Sequence, residues 1–160
     1  MNHEGHEDHE GTHRPFSMRL PSPLAEDAEH AMTETIGCAI AVHRALGPGF
    51  LESIYKKAMH LELNARGISY ESEKTITVRY RGTQIEGQRV DLIVERLIVV
   101  ELKAVARFDD VHQAQVTSYL RTTGLRGGLL INFRVPRPEG RPQANCIVID
   151  ILRDLRALRG

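Results

Sequence analysis

The chain of 160 residues is 41% hydrophobic and 26% charged, with 21 basic against 21 acidic side chains, which suits one soluble globular domain and excludes a disordered one. No run approaches the ~18 apolar residues of a membrane helix, and the polar, His/Glu-rich start is no signal peptide. Cys38 and Cys146 are isolated, which argues against an iron–sulfur cluster or zinc ribbon and for a reducing, cytoplasmic compartment.

Residues 1–24 are poor in apolar side chains and broken by Gly and Pro, and read as a disordered His/Glu-rich arm. Within it "HEGTH" (9–13) matches the HExxH zinc pattern, which works only on a helix. Gly11 inside it and Pro15 after it argue against that helix, leaving adventitious metal binding by the histidines. Residues 25–160 are expected to form a single domain. A helical pattern runs from about Ala25 to Leu46, and "GPG" (47–49) ends it. A second helix spans about Leu51 to Arg66 and closes at Gly67, a residue suited to a left-handed cap. Alternating "TITVRY" (75–80) predicts a strand, "QIEGQRVDLIV" (84–94) the next, and "LIVVELK" (97–103) a third. A helix follows from about Asp109 to Thr123, with acidic residues favourable at its start and Gly124 at its end. "GLLINF" (128–133) and "ANCIVIDIL" (144–152) predict two more strands, flanking the loop "RVPRPEGRPQ". The order α–α–β–β–β–α–β–β predicts an α/β fold: a mixed central β-sheet flanked by helices.

Charge is graded along this order. Residues 1–40 hold two basic and eight acidic side chains, residues 41–102 nine and eight, and residues 103–160 ten and five. A basic C-terminal half can present a positive face to nucleic acid, although ordinary surface charge accounts for the same numbers.

The segment "RVDLIVERLIVVELKAV" (89–105) poses the sharpest question, because Asp91, Glu101 and Lys103 lie within apolar strands. Alternation puts Leu97, Val99, Glu101 and Lys103 on one face and Ile98, Val100 and Leu102 on the other. Both faces are largely apolar, as in a central strand covered on both sides. A strict two-residue hairpin would pair Asp91 with Val100, whereas a three-residue loop (Glu95, Arg96, Leu97) or a bulge brings Asp91 opposite Glu101. Adjacent carboxylates near a core need a counter-charge. Two accounts stand on spacing alone: a divalent cation such as Mg²⁺ or Mn²⁺, or Lys103 paired with one acid while the other faces water.

Asp91, nine intervening residues and then Glu101-Leu102-Lys103 resemble the D…(D/E)xK pattern of the PD-(D/E)xK nuclease superfamily, with its restriction-endonuclease-like core. "GFLESIY" (49–55) resembles the G-x-x-E-x-x-Y signature of the bacterial GxxExxY proteins. Gln115 and Tyr119 in "AQVTSY" (114–119) resemble the QxxxY motif of RecB-like members. The resemblance covers roughly residues 30–152 and implies a metal-dependent nuclease, acting on DNA rather than RNA by superfamily habit. By this resemblance Asp91 and Glu101 are metal ligands with the Leu102 carbonyl a third. Lys103 is the lysine that positions or helps deprotonate the attacking water and offsets charge on the phosphate. Glu52 completes the site or reaches a second ion. Gln115 and Tyr119, four apart on one helix face, touch substrate phosphate or orient the lysine. His43 occupies the region of a metal-binding histidine, although a lone His on an apolar helix face is also an ordinary hydrogen-bonded core residue. Tyr55 is expected to serve structure rather than chemistry. Arg44, Arg121, Arg126, Arg134, Arg137 and Arg141 are candidates for backbone phosphates. With no tryptophan and few aromatics, base stacking is not the expected mode. A core this small implies a homodimer or a larger partner complex to hold its substrate, and no membrane. The competing expectation is a non-catalytic nucleic-acid- or protein-binding module, or an oligomeric scaffold, that keeps the fold.

Overall fold

Helix α1 (Glu26–Leu46) opens with Glu26, Asp27 and Glu29 in its first turn and ends with His43 and Arg44 in its last, each sign favourable to the helix dipole. Its buried residues, Ala28, Ala31, Met32, Thr35, Cys38, Ala39, Val42 and His43, recur at three- and four-residue intervals as one core-facing stripe. Most are small, which lets the helix approach what it covers. Helix α2 (Glu52–Ala65) buries Tyr55, Met59 and Leu63, one residue per turn. The computed structural model describes residues 24–134 and the backbone of 145–150. The expected arm and the Arg137/Arg141 loop therefore fall outside the described residues, apart from Leu24 at the arm's end.

The strands are β1 (Tyr70–Tyr80), β2 (Thr83–Val94), β3 (Ile98–Lys103), β4 (Gly127–Asn132) and β5 (Asn145–Asp150), with helix α3 (Asp110–Thr123) between β3 and β4. They form one sheet in the order β1-β2-β3-β4-β5. β1–β2, β2–β3 and β4–β5 are antiparallel, and β3–β4 is parallel. The parallel pair requires a crossover, which α3 supplies. The fold is thus the expected mixed sheet flanked by helices, with the element order α–α–β–β–β–α–β–β.

β3 is central and buried on both faces. Ile98, Val100 and Leu102 join the cluster built with α1 and α2, and Val99 joins the one built with Val116, Tyr119 and Leu120 of α3. Covering both faces demands small residues where the helices come closest. A side chain at Gly127 would meet Met32 of α1 at 2.5 Å, and one at Gly128 would meet Val116 of α3 at 2.6 Å. Helix α3 has the acidic start and the end at Gly124 that its sequence predicts; a capping box between Asp109 and His112 opens it, and Gly124 closes it in the left-handed conformation.

Two differences from the expected elements have physical causes. β1 begins at Tyr70, not Thr75, because the apolar end of β2 recruits the polar "YESEK" run as a partner, pairing Tyr70 with Val94 and Glu71 with Ile93. Leu97 belongs to the turn rather than to β3, so it packs with the α1/α2 cluster instead of following the alternation.

Candidate active site

The turn joining β2 to β3 sets the register of the acids. Glu95 and Arg96 both have positive φ, 53° and 60°, and the Leu97 N–H donates to the Val94 carbonyl at 2.9 Å. Positive φ at both central residues matches the twist of a tight hairpin. Leu97 is then left over, and Val94 pairs with Ile98, Ile93 with Val99 and Leu92 with Val100. The three-residue loop is the irregularity the sequence called for. Continuing that register brings Asp91 level with Glu101.

A second irregularity frees Asp91 from regular alternation. Leu92 and Val94 pack on the α1/α2 side, yet Val90 and Ile76 pack on the α3 side, so the facing of β2 switches across Asp91. Opposite it on β1, Glu73 has φ 50°, and the ladder passes from Ser72–Leu92 to Lys74–Val90 without a Glu73–Asp91 pair. Asp91 therefore sits at a kink between the two cores.

Asp91 and Glu101 are both buried, 7% and 3% exposed, and each carries its own lysine. Lys103 Nζ lies 2.7 Å from Glu101 Oε1. Lys56 Nζ lies 2.5 Å from Asp91 Oδ1, and the other Asp91 oxygen accepts the Leu102 N–H at 2.9 Å. The side chain thus satisfies a buried backbone donor where the β2–β3 ladder stops. Of the two accounts open at the level of sequence, the ion pair of Lys103 with one acid is present. The other acid does not face water; it is neutralised from α2. Burial, then the negative charge of Asp91, pushes the Glu101 carboxyl up to about 7, against the opposing hydrogen bond and charge of Lys103. Burial alone would lower Lys56, but the hydrogen bond and charge of Asp91, with Glu52 behind them, hold it above its ordinary range.

Lys56 has no counterpart among the residues singled out from sequence. It also lies 3.3 Å from Glu52 Oε1, one helical turn away, and 3.6 Å from Glu73 Oε1. Glu52 reaches Asp91 through this ammonium. The one sequence signal for Lys56 was its i, i+4 spacing from Glu52, which surface helices show routinely. Asn132 was also missed. Buried at the end of β4 and paired in register with Lys103, it accepts the Val105 N–H at 3.1 Å and donates to the Val105 carbonyl at 2.7 Å. That clamp fixes the chain just after Lys103.

Gln115 and Tyr119 do share one face of α3. Gln115 Nε2 donates to the Tyr119 hydroxyl at 2.6 Å, and the hydroxyl donates to the Arg89 carbonyl at 2.8 Å. The pair anchors α3 to β2 two residues before Asp91. Burial, then the Glu101 charge, raises the Tyr119 phenol, so it acts here as a neutral hydrogen-bonding group. Tyr55 is structural, as expected. Its hydroxyl donates to the Gly47 carbonyl at 2.6 Å and accepts the Phe50 N–H at 3.2 Å, while its ring stacks on Phe133 at 4.6 Å. It holds shut the turn that launches Glu52 and Lys56.

His43 is buried in the last turn of α1. Among the described residues no three His, Cys, Asp or Glu side chains gather as a group able to hold a metal ion. Of the expected residues Asp91, Glu101, Glu52 and His43, Glu52 meets Asp91 through the Lys56 ammonium. The donor chemistry still fits a hard divalent cation. Two buried carboxylates lie on adjacent strands, and among the described residues Glu101 Oε2 is buried with no hydrogen-bond partner, an acceptor whose desolvation is uncompensated.

A mixed sheet that brings an acid on one strand beside Glu-x-Lys on the next, behind a helix-borne glutamate, defines a class of nuclease folds. The model of the PD-(D/E)XK nuclease superfamily matches residues 29–143, and the chain belongs to that superfamily. No curated protein of similar sequence was found. Similar solved structures include SSO0001, at 19% identity and TM-score 0.45, aligned over 67% of this chain and 58% of that one. The exonuclease LHK-Exo in complex with dAMP is similar at 11% identity and TM-score 0.42, over 81% and 87% of the two chains. The alkaline exonuclease LHK-Exo from Laribacter hongkongensis is similar at 15% identity and TM-score 0.41, over 81% and 86%. The chain thus spans less than two thirds of the first of these proteins. Among the described residues no helix is long and apolar enough to cross a membrane.

Proposed function

We propose that the protein is a divalent-metal-dependent nuclease that hydrolyses phosphodiester bonds, with DNA its substrate in preference to RNA. In this reading it is a GxxExxY protein carrying the RecB-like Gln/Tyr helix. The observation that carries the reading is the buried pair Asp91 and Glu101 on adjacent strands, with Lys103 on Glu101 and one Glu101 oxygen left without a partner among the described residues. Asp91, Glu101 and the Leu102 carbonyl would hold Mg²⁺ or Mn²⁺, which supplies a more acidic water and offsets charge on the phosphate. Lys103 would orient the attacking water at Nζ and, as a cation, help it lose its proton to solvent. Its charge also favours the negative transition state. Asn132 and the Tyr119–Arg89 bond keep Lys103 and Asp91 from drifting, which such positioning requires. Residues 25–160 act as one domain, and a homodimer or a partner extends the surface available to nucleic acid.

The test is cleavage of end-labelled single- and double-stranded DNA, with RNA in parallel, by the full chain in Mg²⁺ or Mn²⁺. The reading expects DNA cleavage that is lost with chelator and in Lys103→Ala. Absence of cleavage on every substrate would overturn it.

Lys56 gives a second reading its support. Because each of the two buried acids, Asp91 and Glu101, already has a lysine partner, a non-catalytic binding module or scaffold could keep this pair without an added ion. Nucleic-acid binding without metal-dependent cleavage would favour that reading. Loss of assembly on deleting residues 1–24 would favour the scaffold form of it.

A further inference from the structure

Lys56 stands among three carboxylates of unequal exposure. Its ammonium is 2.5 Å from Asp91, whose side chain is 8% exposed. It is 3.3 Å from Glu52 and 3.6 Å from Glu73, whose side chains are 37% and 47% exposed. The nearest contact is with the buried acid, and the two looser contacts lie toward solvent. Lysine carries its charge on a flexible four-carbon stem, so a change of partner among these acids needs only rotation of that stem.

We propose that Lys56 is a tethered counter-ion that holds Asp91 in the metal-free protein and yields it to an arriving divalent cation, shifting onto Glu52 and Glu73. This rests on the metal reading given above. Glu101 keeps Oε2 open among the described residues while Lys103 holds Oε1, but both Asp91 oxygens are engaged, Oδ1 by Lys56 and Oδ2 by the Leu102 N–H, so a cation arriving at Asp91 competes with the ammonium for Oδ1 and repels it. The local charge favours a shift over expulsion. Four acids (Glu52, Glu73, Asp91 and Glu101) face two lysines, Lys56 and Lys103, with the exposed Arg89 4.0 Å from Glu73 at the rim. Even with both lysines in place the site is short of positive charge, so the ammonium retains partners once a cation takes Asp91. Glu73 belongs to this device by position as well as by charge. It lies across the β1–β2 ladder from Asp91, with φ 50°, a conformation that non-glycine residues in strands avoid. Neither Lys56 nor Glu73 belongs to the D…ExK pattern; both are positioning residues acting through Asp91.

The test is calorimetric titration of Mn²⁺ into the full chain, with the metal-induced rise in Tm as a second readout. Lys56→Met is expected to bind Mn²⁺ about tenfold more tightly than wild type, the scale of releasing one partly exposed ion pair, and to show a larger rise in Tm. Glu73→Gln is expected to weaken Mn²⁺ binding, and that effect is expected to shrink in the Lys56→Met background, as a coupled pair requires. Should Lys56→Met fail to fold, Lys56→Gln carries the same expectation with a polar side chain. Equal or weaker affinity in the lysine variants overturns the role of Lys56 while leaving the metal site standing. An undiminished Glu73 effect in the double variant overturns the shift onto Glu73. No Mn²⁺ uptake by wild type or by any variant overturns the metal reading itself, and this inference with it.

Discussion

The strands contribute Asp91, Glu101 and Lys103 to one site and the edge of α2 contributes Glu52 and Lys56, but the two parts are held in different ways. Glu101 and Lys103 are fixed by β3, which is paired on both sides and buried on both faces. Their spacing of two residues places them together whatever else the chain does. Glu52 and Lys56 meet Asp91 because α2 docks through Tyr55, Met59 and Leu63 and because Tyr55 clamps the turn before it. The strand half is local geometry; the helix half is tertiary packing. A site assembled this way has a rigid part to hold reacting groups and a more exposed part free to change partners.

That contrast can be broken or sharpened by substitution. The largest effect is expected in the strand half, where Asp91→Ala should reduce metal-dependent DNA cleavage by at least about 10³-fold, read as initial rates. Glu52→Gln should cost only about 10-fold, the scale of a group acting through a neighbour; equal losses would erase the distinction. Next, Asn132→Leu leaves both polar groups of the Val105 backbone unsatisfied and should lower stability by about 2 kcal/mol, measured by urea denaturation. The same variant should lower cleavage, because it loosens the chain after Lys103.

A smaller effect follows from Glu101. Its folded pKa is raised to about 7 from an ordinary value of 4.5, so the folded protein binds the proton more tightly than the unfolded chain does. The stability this contributes is fully present below about pH 4.5 and is lost as pH rises through about 7. The metal-free protein should therefore lose Tm between about pH 5 and pH 8, and Glu101→Gln should flatten that slope. The smallest expected effect is on the helix half. Tyr55→Phe should destabilise by about 1 kcal/mol and slacken the turn at Gly47, while the ring stays stacked on Phe133. Cleavage should fall less than in Asn132→Leu.

The sequence made the strand half legible for the same physical reason that makes it rigid. Alternation placed Glu101 and Lys103 together, and the need to bring Asp91 level with Glu101 called for the three-residue turn that Glu95, Arg96 and Leu97 form. The helix ends at Gly47, Gly67 and Gly124 were likewise readable, because backbone conformation is local. Lys56 and Glu73 were not. Nothing in a 3.6-residue period says which exposed lysine of α2 will face a strand 35 residues away, and "YESEK" is too polar to announce itself as a strand. Asn132 was hidden for a related reason: one polar residue inside the predicted strand "GLLINF" gives no sign that it clamps the loop after a neighbouring strand. Where His43 and Glu52 would stand relative to the acids was not legible either, since proximity between helices and strands is decided by docking.

The most direct measurement is calorimetric titration of Mn²⁺ into the wild-type chain and Asp91→Ala, each followed by a cleavage assay on single- and double-stranded DNA. Saturable binding by wild type that is lost in Asp91→Ala, together with cleavage that requires the ion, is the result predicted. Cleavage that proceeds in excess chelator, or that survives in Asp91→Ala, would contradict the central claim that Asp91 and Glu101 on these adjacent strands form a metal-dependent nuclease site.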